Sequence, residues 1–376
     1  MSNQSPHLGH PERRGPRIGI VGAGFIADYH LAAIQGIPAA SVVGIFDADA
    51  GRTRTLADRW SIPAKGSLED LLDQRPDVVH ILTPPPTHAR VAAACLAAGR
   101  DIFVEKPVTV TAHESEQLER LAAERGCRVA VNQNAVYHPA FTTVARWARD
   151  RFLGRVEHAT VWWNVPLAQF QQRQFGHWMF QSPVNILLEQ AVHPFSQIVH
   201  LMGEPLECSV LTSDEIVLPS GKPFQATWNV SLRCRRGTAN CFLSFGRSYF
   251  ENALHLVGED AVARADFRRN VASRTGKTKY VEPVDDVING VRTGAQELGQ
   301  AAGNFSRYCL AFLKLRPRSD AFFVSMQKSI AAYYEARAGG RTPPVSLEFG
   351  ALLVRVCEEV AAEALRFHGA RNGVAP

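Results

Sequence analysis

The fold is decided by the stretch Arg17 to Asp47, RIGIVGAGFIADYHLAAIQGIPAASVVGIFD. A short apolar run leads into a glycine-rich turn, and a second apolar run ends on an acid. This pattern predicts a strand, a tight turn, a helix and a second strand. Gly22 permits the turn, Gly24 lets backbone come close to a pyrophosphate, and Ala27 allows close helix packing.

The same stretch predicts a dinucleotide site. The phosphates would rest on the positive end of the helix that begins near Phe25 and Ile26. Asp47 follows Gly22 by 25 residues, where a carboxylate can accept hydrogen bonds from ribose hydroxyls. Because Asp49 follows closely and no Arg or Ser comes directly after Asp47, NAD is favoured over NADP. A glycine turn in another kind of α/β unit is the alternative.

Length and composition set the class of protein. With 376 residues, 46% hydrophobic and 20% charged, the chain fits two soluble globular domains. We predict a disordered lead over residues 1–16, an NAD-binding domain over 17–135, and a substrate-binding and oligomerisation domain over 136–376. No apolar run approaches the roughly 18 residues that cross a bilayer, so we expect no membrane span. The polar lead does not resemble a signal peptide, which predicts a cytoplasmic protein.

Cysteine, histidine and arginine spacing argues against other classes. Seven scattered cysteines without a Cys-x-x-Cys pair predict reduced thiols. The 13 histidines include no His-x-x-x-His or His-Glu-x-x-His pair, so we expect no metal. The net charge of +5 is spread, apart from basic runs at 233–236 and 264–274. We interpret both runs as solvated faces and expect no nucleic-acid partner.

The first half of the chain alternates strands and helices. Apolar runs at 77–82, 101–104 and 128–131 are typical of parallel strands buried on both faces. A helix over 88–98 is closed by Gly99. Ser67 with Asp70, and Thr111 with Glu114, mark further helix starts. These features predict a doubly wound parallel sheet, a Rossmann domain in an α/β fold.

The second half changes pattern after Gly154. Following a helix near 140–152, strand-like runs at 156–163, 206–211, 224–232, 239–245 and 253–257 predict an α+β domain with an open-faced, largely antiparallel sheet. Residues 268–300 are polar and glycine-containing, and we interpret them as a long loop or insertion. Helices are predicted over 305–315, 319–338 and 347–367. Apolar residues on two strands need a cover, which predicts a homodimer or homotetramer through the sheet: Trp228, Val230, Phe242, Leu243 and Phe245.

Two strand ends carry the candidate chemistry, because ligands of open α/β sheets lie outside the carboxyl ends of the strands. The first is the turn Thr83-Pro84-Pro85-Pro86-Thr87-His88, in which the prolines fix the backbone path beside the cofactor. The second is Glu105-Lys106-Pro107, which puts a cation at the mouth of the sheet. The cofactor contacts are therefore expected from Thr83, Pro84, His88, Glu105 and Lys106, in addition to the glycine turn and Asp47.

These motifs, with the segment Glu189-Gln190-Ala191-Val192-His193, resemble the Gfo/Idh/MocA family, which includes glucose-fructose oxidoreductase and inositol dehydrogenase. The resemblance runs from Pro16 to about Leu365. It implies a cofactor domain followed by an open-faced sheet domain that commonly mediates oligomers. It also implies that Lys106 and His193 act on the substrate hydroxyl, assisted by the acid four residues before the histidine, here Glu189.

Hydride removal from a secondary alcohol needs a base for the proton and a cation near the oxygen, and these residue types fit that need. His193 can be the base and Lys106 the cation. Pro194 suits the first position of a helix, which places His193 at a positive cap that favours its neutral form. A structural histidine and a surface lysine are the alternatives.

The chain departs from the family at several positions. Glu189 stands where Asp is usual, Ala191 where Gly is usual, and Val136 where a basic residue is frequent. An extra methylene moves a carboxylate by about 1 Å, enough to matter in a positioned reaction. Aromatic, amide and imidazole groups could line a polyol pocket or pack in a core: Asn134, Tyr137, Trp163, His177 and Trp178.

The leading hypothesis is an NAD(H)-dependent oxidoreductase acting on a secondary hydroxyl or keto group of a sugar, cyclitol or sugar nucleotide. An NADPH-type ketosugar reductase and an NAD-dependent glycosidase of the same family are the alternatives among enzymes. A non-catalytic nucleotide-sensing regulator is the alternative from another class. A sensor needs neither a base nor an electrophile, so the presence of both Lys106 and His193 favours an enzyme.

Overall fold

A computed structural model describes residues 15–371, with side chains described to Arg366. The expected lead over residues 1–16 therefore lies almost wholly outside the described residues. The first sheet is parallel, in the order β2-β1-β3-β4-β5. Its strands are β1 (Arg17–Val21), β2 (Ser41–Phe46), β3 (Val78–Ile81), β4 (Asp101–Glu105) and β5 (Val129–Asn132).

Helices connect these strands, as the doubly wound pattern predicts. They are α1 (Phe25–Ile34), α2 (Ala50–Trp60), α3 (Leu68–Leu72), α4 (His88–Ala97) and α5 (Ala112–Arg125). The Ser67 side chain accepts from the Asp70 N–H, and Thr111 with Glu114 forms a complete capping box. Gly99 follows α4 with φ +71°, as its predicted closing role requires. The fold class of this half is confirmed.

The second sheet has seven strands in the order β12-β11-β10-β6-β9-β8-β7, with only β6 and β9 parallel to each other. Its strands are β6 (Val156–Val165), β7 (Pro205–Val217), β8 (Pro223–Cys234), β9 (Gly237–Phe245), β10 (Glu251–Gly258), β11 (Ala261–Asp266) and β12 (Val271–Gly276). Helix α6 (Pro139–Arg149) precedes it. Between β6 and β7 lie α7 (Ala168–Gln171), α8 (Pro183–Ile186) and α9 (Val192–Met202). The predicted open-faced, largely antiparallel sheet is confirmed.

The loop predicted over residues 268–300 is wrong. These residues form β12 and most of a 31-residue helix, α10 (Glu282–Phe312). Helix α10 runs beside the free edge of β12, where its amide side chains take up the hydrogen bonds that a further strand would make. Gln300 accepts from the Ala272 N–H at 2.9 Å and donates to its carbonyl at 2.7 Å. Such pairing protects an edge strand from other chains.

The last two helices return to the first sheet. Helix α11 (Ala321–Ala338) packs on α1, and α12 (Leu347–Arg371) packs on α5 and β7. Ile330 and Tyr333 of α11 are buried beside Ile18, Ile20 and Phe103 of the first sheet. The C-terminal helices thus complete the layers around the first sheet. A parallel sheet requires burial of both of its faces.

The reason given for assembly through the second sheet is also wrong. Trp228, Val230, Leu243 and Phe245 are each at most 1% exposed, because they point into the chain's own core. Helix α9 packs on β6 and β9, and α12 packs on β7, so this face is already covered. The opposite face leaves Trp162 47% exposed.

All seven cysteines are unpaired, as predicted. Over residues 15–371, no helix is long and apolar enough to cross a membrane. The basic run at 233–236 is solvated: Arg233 pairs with Glu207, and Arg235 with Glu204 at 2.6 Å.

Candidate active site

The glycine turn after β1 has the geometry that the sequence predicts. Gly22 has φ +108°, and a Cβ atom there would lie 2.6 Å from the backbone carbon of Leu82. Only glycine fits such a position without displacing the neighbouring strand end. At Gly24 a Cβ atom would meet no protein atom within 4 Å, so open space lies over this part of the turn.

The N-terminus of α1 is free to bind an anion. Its N-cap is Gly24, which has no side chain to accept the first backbone N–H groups of the helix. Phe25 is the first helical residue and is 75% exposed, and Ile26 follows it. Unsatisfied N–H groups and the helix dipole together favour a phosphate. This end of the helix therefore fits the pyrophosphate of a dinucleotide.

The two glycines allow a matched test. Gly22→Ala places a methyl group against backbone, so we expect a lower melting temperature and at least a tenfold loss of NAD affinity, with strain of about 1–3 kcal/mol. Gly24→Ala should melt close to the parent, because the protein leaves room, yet also lose NAD affinity. Calorimetric titration with NAD and thermal melts measure both quantities. A Gly22→Ala protein that melts and binds like the parent would contradict this geometry.

Asp47 closes the turn from the end of β2. One carboxylate oxygen accepts from the Ala23 N–H at 2.7 Å, and the other accepts from the Asp49 N–H at 2.8 Å. Each oxygen keeps a lone pair for a ribose hydroxyl. Asp49 instead caps α2, where the N–H groups of Arg52 and Gly51 lower the pKa of its carboxyl group. Asp47 is thus the acid of this pair that remains for the ribose.

His88 connects the two strand-end loops. Its Nδ1 lies 2.7 Å from the Pro107 carbonyl oxygen, and its Nε2 lies 2.7 Å from the Thr83 carbonyl oxygen. The ring is fully buried, which lowers its pKa although both carbonyls favour the charged form. His88 therefore fixes the Thr83-Pro84 turn against the Lys106-Pro107 loop, and its side chain serves the cofactor site through these loops.

Glu105, at the end of β4, belongs to a buried polar network. Its Oε1 lies 2.8 Å from Nε2 of His30 and accepts from Asn132 Nδ2 at 2.6 Å. The network continues from His30 to His80 and from His80 to the Tyr334 hydroxyl, each step 2.8 Å. Burial alone would raise the pKa of Glu105, but the hydrogen bonds from His30 and Asn132 lower it. Glu105 is therefore an ionised anchor that fixes the start of the Lys106 loop.

Lys106 reaches from this loop to the second half of the chain. Its Nζ donates to the Glu189 carbonyl oxygen at 2.9 Å and lies 3.4 Å from Glu189 Oε1. The other oxygen of Glu189 accepts from the Trp178 indole N–H at 3.1 Å. Both side chains of the ion pair are about one-fifth exposed, so they can meet a ligand. Glu189 orients the Lys106 ammonium group by these two contacts.

Glu189 lies in a π-helical turn, Leu187–Ala191, between α8 and α9. Such turns insert an extra residue in a helix and frequently occur at functional sites. Residues four apart normally share one helix face, but the wider turn separates Glu189 from His193. Among the described residues, the partners of Glu189 are Lys106 and Trp178, whereas no hydrogen bond joins it to His193.

His193 sits beside the lysine in α9. The Trp163 ring stacks on it with centroids 5.6 Å apart, and Gln133 Nε2 lies 3.4 Å from its Nδ1. Its Nε2 has no hydrogen-bond partner within the described part of the chain. Burial, followed by the nearby Lys106 charge, lowers the pKa of His193 well below its ordinary value. The imidazole is therefore neutral at pH 7 and able to accept a proton.

The predicted reason for that neutrality is wrong. Pro194 is not the first residue of a helix, because α8, the π-helical turn and α9 continue from one into the next. His193 is the second residue of α9, and the residue at the N-cap position, Ala191, is itself helical. Among the described residues, no free helix end faces the ring. The pKa of His193 is lowered by burial of the ring and by the Lys106 charge, and not by a helix dipole.

The predicted substrate residues divide into two groups. Trp163 and Trp178 join the cluster of Lys106, Glu189 and His193, and Trp163 Nε1 is buried without a partner within the described region. His177 caps the turn that carries Trp178. Asn134, by contrast, is buried and donates to Ser325 of α11 at 3.0 Å. Burial raises the pKa of Tyr137 to about 12, and no contact brings its ring to the cluster.

Three residues of the site escaped the sequence analysis. Gln133 directly follows β5 and donates to the Val192 carbonyl beside His193. His30 and Asn132 hold Glu105. Gln133 and Asn132 lie at the carboxyl end of a predicted strand, which is a usable signal. His30 lies inside a helix, and nothing in its local sequence indicates a distant carboxylate.

A family model described as "Oxidoreductase family, NAD-binding Rossmann fold" matches residues 16–133. These residues match the Gfo/Idh/MocA family, and the match ends at residue 133. The matched residues contain the whole glycine turn, Asp47 and the Lys106 loop, which are the parts that fit a dinucleotide.

The chain resembles several proteins that are named as enzymes of sugar chemistry. It is 27% identical over 197 residues to dTDP-3,4-didehydro-2,6-dideoxy-alpha-D-glucose 3-reductase of Streptomyces antibioticus, covering 51% of the chain and 58% of the relative. It is 23% identical to galactose 1-dehydrogenase of Pseudomonas fluorescens, covering 85% and 99%. The chain spans little more than half the length of the first curated relatives it matches.

The solved structures extend the likeness in fold to nearly the whole chain. Levoglucosan dehydrogenase, in complex with NADH and levoglucosan, aligns with a TM-score of 0.75 at 17% identity, covering 93% of this chain and 97% of that one. At that identity the likeness establishes the fold alone. No group of three or more His, Cys, Asp or Glu that could hold a metal occurs among the residues with described side chains.

Proposed function

We propose that the protein is an NAD-dependent oxidoreductase that interconverts a secondary hydroxyl and a keto group on a sugar, cyclitol or sugar nucleotide. The observation that carries this proposal is the pairing of an oriented ammonium group, Lys106, with a neutral imidazole, His193, beside a strand end that fits a dinucleotide. A cation and a base within one site are what hydroxyl oxidation needs.

His193 and Lys106 have separate proposed roles in the oxidation of the hydroxyl group. The nicotinamide ring, when bound, supplies the hydride acceptor or donor. His193 takes the hydroxyl proton at Nε2, which is unprotonated in the neutral tautomer that carries its hydrogen on Nδ1. Lys106 stabilises negative charge on the substrate oxygen as the proton leaves. In the reductive direction, His193 returns the proton to the substrate oxygen while Lys106 stabilises the negative charge on it.

Glu189 is proposed as a positioning residue for Lys106. Its backbone carbonyl and its carboxylate both contact Nζ, while Trp178 fixes the second carboxylate oxygen. The longer side chain relative to aspartate is therefore accommodated by the indole on one side and the lysine on the other. The two indoles, Trp163 and Trp178, would form an aromatic wall for a sugar ring, which suits carbohydrate recognition.

The expected cofactor preference is NAD over NADP. The 2′-phosphate of NADP would lie beside the Asp47 carboxylate, and the two negative charges would repel each other. Arg52 is 66% exposed and lies near Asp49, so it is the cation that could oppose this preference. Titrating both cofactors by calorimetry measures the ratio of affinities, and Asp47→Ser should narrow it. Tighter binding of NADP by the parent would contradict the assignment.

A substrate screen tests the proposed activity directly. Polyols, free sugars and nucleotide sugars are offered with NAD, and their keto forms with NADH, while the absorbance of reduced nicotinamide is followed. We expect turnover with at least one member, lost in His193→Ala. A parent protein that binds NAD but turns over no member in either direction would favour a nucleotide sensor.

We also propose a cytoplasmic homodimer or homotetramer. Seven unpaired thiols suit a reducing compartment. On the outer face of the second sheet, Trp162 and Leu211 are about half exposed, and Phe242 lies against Trp162 with ring centroids 5.1 Å apart. An exposed apolar group on a sheet face commonly marks contact between copies.

A further inference from the structure

Helix α10 is amphipathic, but its polar face and not its apolar face lies against the rest of the chain. Its polar face packs on the protein. Asn289 donates to the Gly276 carbonyl at 3.0 Å, Gln296 accepts from the Arg274 N–H at 3.3 Å, and Gln300 donates to the Ala272 carbonyl at 2.7 Å. A surface helix normally turns its apolar side to the core. Here the apolar side faces away from the chain.

The outward face carries a regular apolar stripe. Its spacing is 3, 4, 7, 7, 3 and 4 residues, which is the a and d pattern of a coiled coil. Its members are between 41% and 76% exposed: Val284, Val287, Val291, Leu298, Phe305, Tyr308 and Phe312. The two d positions that the stripe skips are the small residues Gly294 and Ala301. We propose that this stripe pairs antiparallel with α10 of a second copy of the chain.

The exposed area suits such a pair. At about 200 Å² for each aromatic side chain, the three aromatic residues alone expose on the order of 400 Å². The four aliphatic residues bring the total to roughly 600 Å² for each copy. That total reaches the upper range for a monomer's largest patch, about 300–600 Å². It also approaches the roughly 800 Å² that each partner buries in a stable interface.

Side-chain volume favours the antiparallel direction. A two-fold axis at Leu298 pairs Val284 with Phe312 and Val291 with Phe305 of the other copy, so that small side chains meet large ones. Parallel pairing would instead place each Phe against its own copy. Near the axis, Gly294 and Ala301 let the two backbones come close.

Charge favours the same direction. The start of α10 is acidic, with Glu282 in the first turn and Asp286 just after it, both exposed. Near the other end Arg307, Lys314 and Arg316 are basic and exposed. An antiparallel pair brings the acidic end of one helix to the basic end of the other. The two helix dipoles also oppose each other, which is the favourable arrangement. Nothing in this pairing depends on the proposed activity.

The test compares adjacent residues on and off the stripe. Light scattering at micromolar concentration should give the parent at two or four times 41.3 kDa. Phe305→Glu should halve the particle mass, and Ser306→Glu, one residue away and exposed, should leave it unchanged. Both variants should keep the parent's circular dichroism spectrum, since neither side chain is buried within its own chain. A parent of 41.3 kDa, or a Phe305→Glu protein of parental mass, would overturn the proposal.

Cysteine cross-linking tests whether the two copies of α10 pair antiparallel. Leu298→Cys lies on the proposed axis, so mild oxidation should link two copies through this position. Cys309 of the parent should not link to itself, because antiparallel pairing separates the two copies of it by about 33 Å along the helix axis. A Cys309 to Cys309 link in the parent would indicate a parallel pair and would overturn the antiparallel arrangement.

Discussion

Replacing His193 with alanine is expected to lower turnover by about 100-fold to 10,000-fold, the usual range when a general base is lost. The physical reason is that His193 is the neutral imidazole beside Lys106, with an Nε2 that meets no partner among the described residues. NAD affinity should barely change, because the glycine turn and Asp47 lie on other strand ends. Steady-state kinetics with the best substrate of the screen, together with NAD titration, measure the two effects separately.

His113→Ala is a matched control for this variant. His113 lies exposed on α5, and within residues 15–366 its ring bonds only Gln117, one helical turn away. Its loss should leave turnover within about twofold of the parent, as is usual for a surface substitution. If His193→Ala also kept most of its activity with NAD bound normally, His193 would be a structural histidine and the proton would have to leave by another group.

The pH profile gives an independent measure of the same residue. A lowered pKa means that His193 stays neutral, and so remains a competent base, as the pH falls through its ordinary value of 6.5. The acidic limb of the turnover profile is therefore expected below pH 6.5. That limb reports the enzyme with substrate bound, and the limb of kcat/KM reports the free enzyme.

The cofactor half could be predicted from sequence because its signals are local. The glycine turn, the capping box at Thr111 and the closing Gly99 each act within a few residues, and short apolar strands need both faces buried. The contribution of α11 to the same core could not be predicted this way. Ile330 and Tyr333 reach β1 from more than 300 residues along the chain, and no local pattern carries that contact.

Helix α10 shows why the second half was harder to predict. Four glycines, at positions 290, 294, 299 and 303, lower the helix propensity by about 1 kcal/mol each relative to alanine. They gave the segment the composition of a loop. Helical structure is stabilised instead by tertiary contacts, in which amide side chains pair with the edge of β12. A reversed amphipathic pattern adds to the difficulty, because its apolar stripe does not face the core.

The sequence indicated candidate residues for the site but not the contacts between them. The sequence analysis grouped Lys106, Glu189 and His193, and in the structure Glu189 contacts the lysine and makes no hydrogen bond with the histidine among the described residues. The four-residue spacing implies a shared helix face, and the π-helical turn removes that relation. Gln133 and Trp163, which contact the histidine instead, come from two other strands.

Replacing Lys106 with methionine, which has a similar length and no charge, is expected to lower turnover by roughly 100-fold to 1,000-fold, as removal of a group that stabilises a developing oxyanion does. It should also move the acidic limb to higher pH. The Lys106 charge is one cause of the lowered His193 pKa, so its removal lets that pKa rise toward its ordinary value. A purely structural lysine would lower activity without this shift.

Glu189→Gln separates orientation from charge at the same ammonium group. Lys106 would keep its 2.9 Å bond to the residue-189 carbonyl, and the amide could still accept from Trp178, so we expect a loss of about tenfold or less. Lys222→Met, at an exposed lysine whose side chain donates to the Gln181 carbonyl, controls for loss of a charge. A loss in Glu189→Gln as large as in His193→Ala would instead place the carboxylate on the proton path. If the acidic limb of the pH profile did not move in Lys106→Met, the Lys106 charge would not act on the pKa of His193. That result would contradict the proposed roles of the two residues.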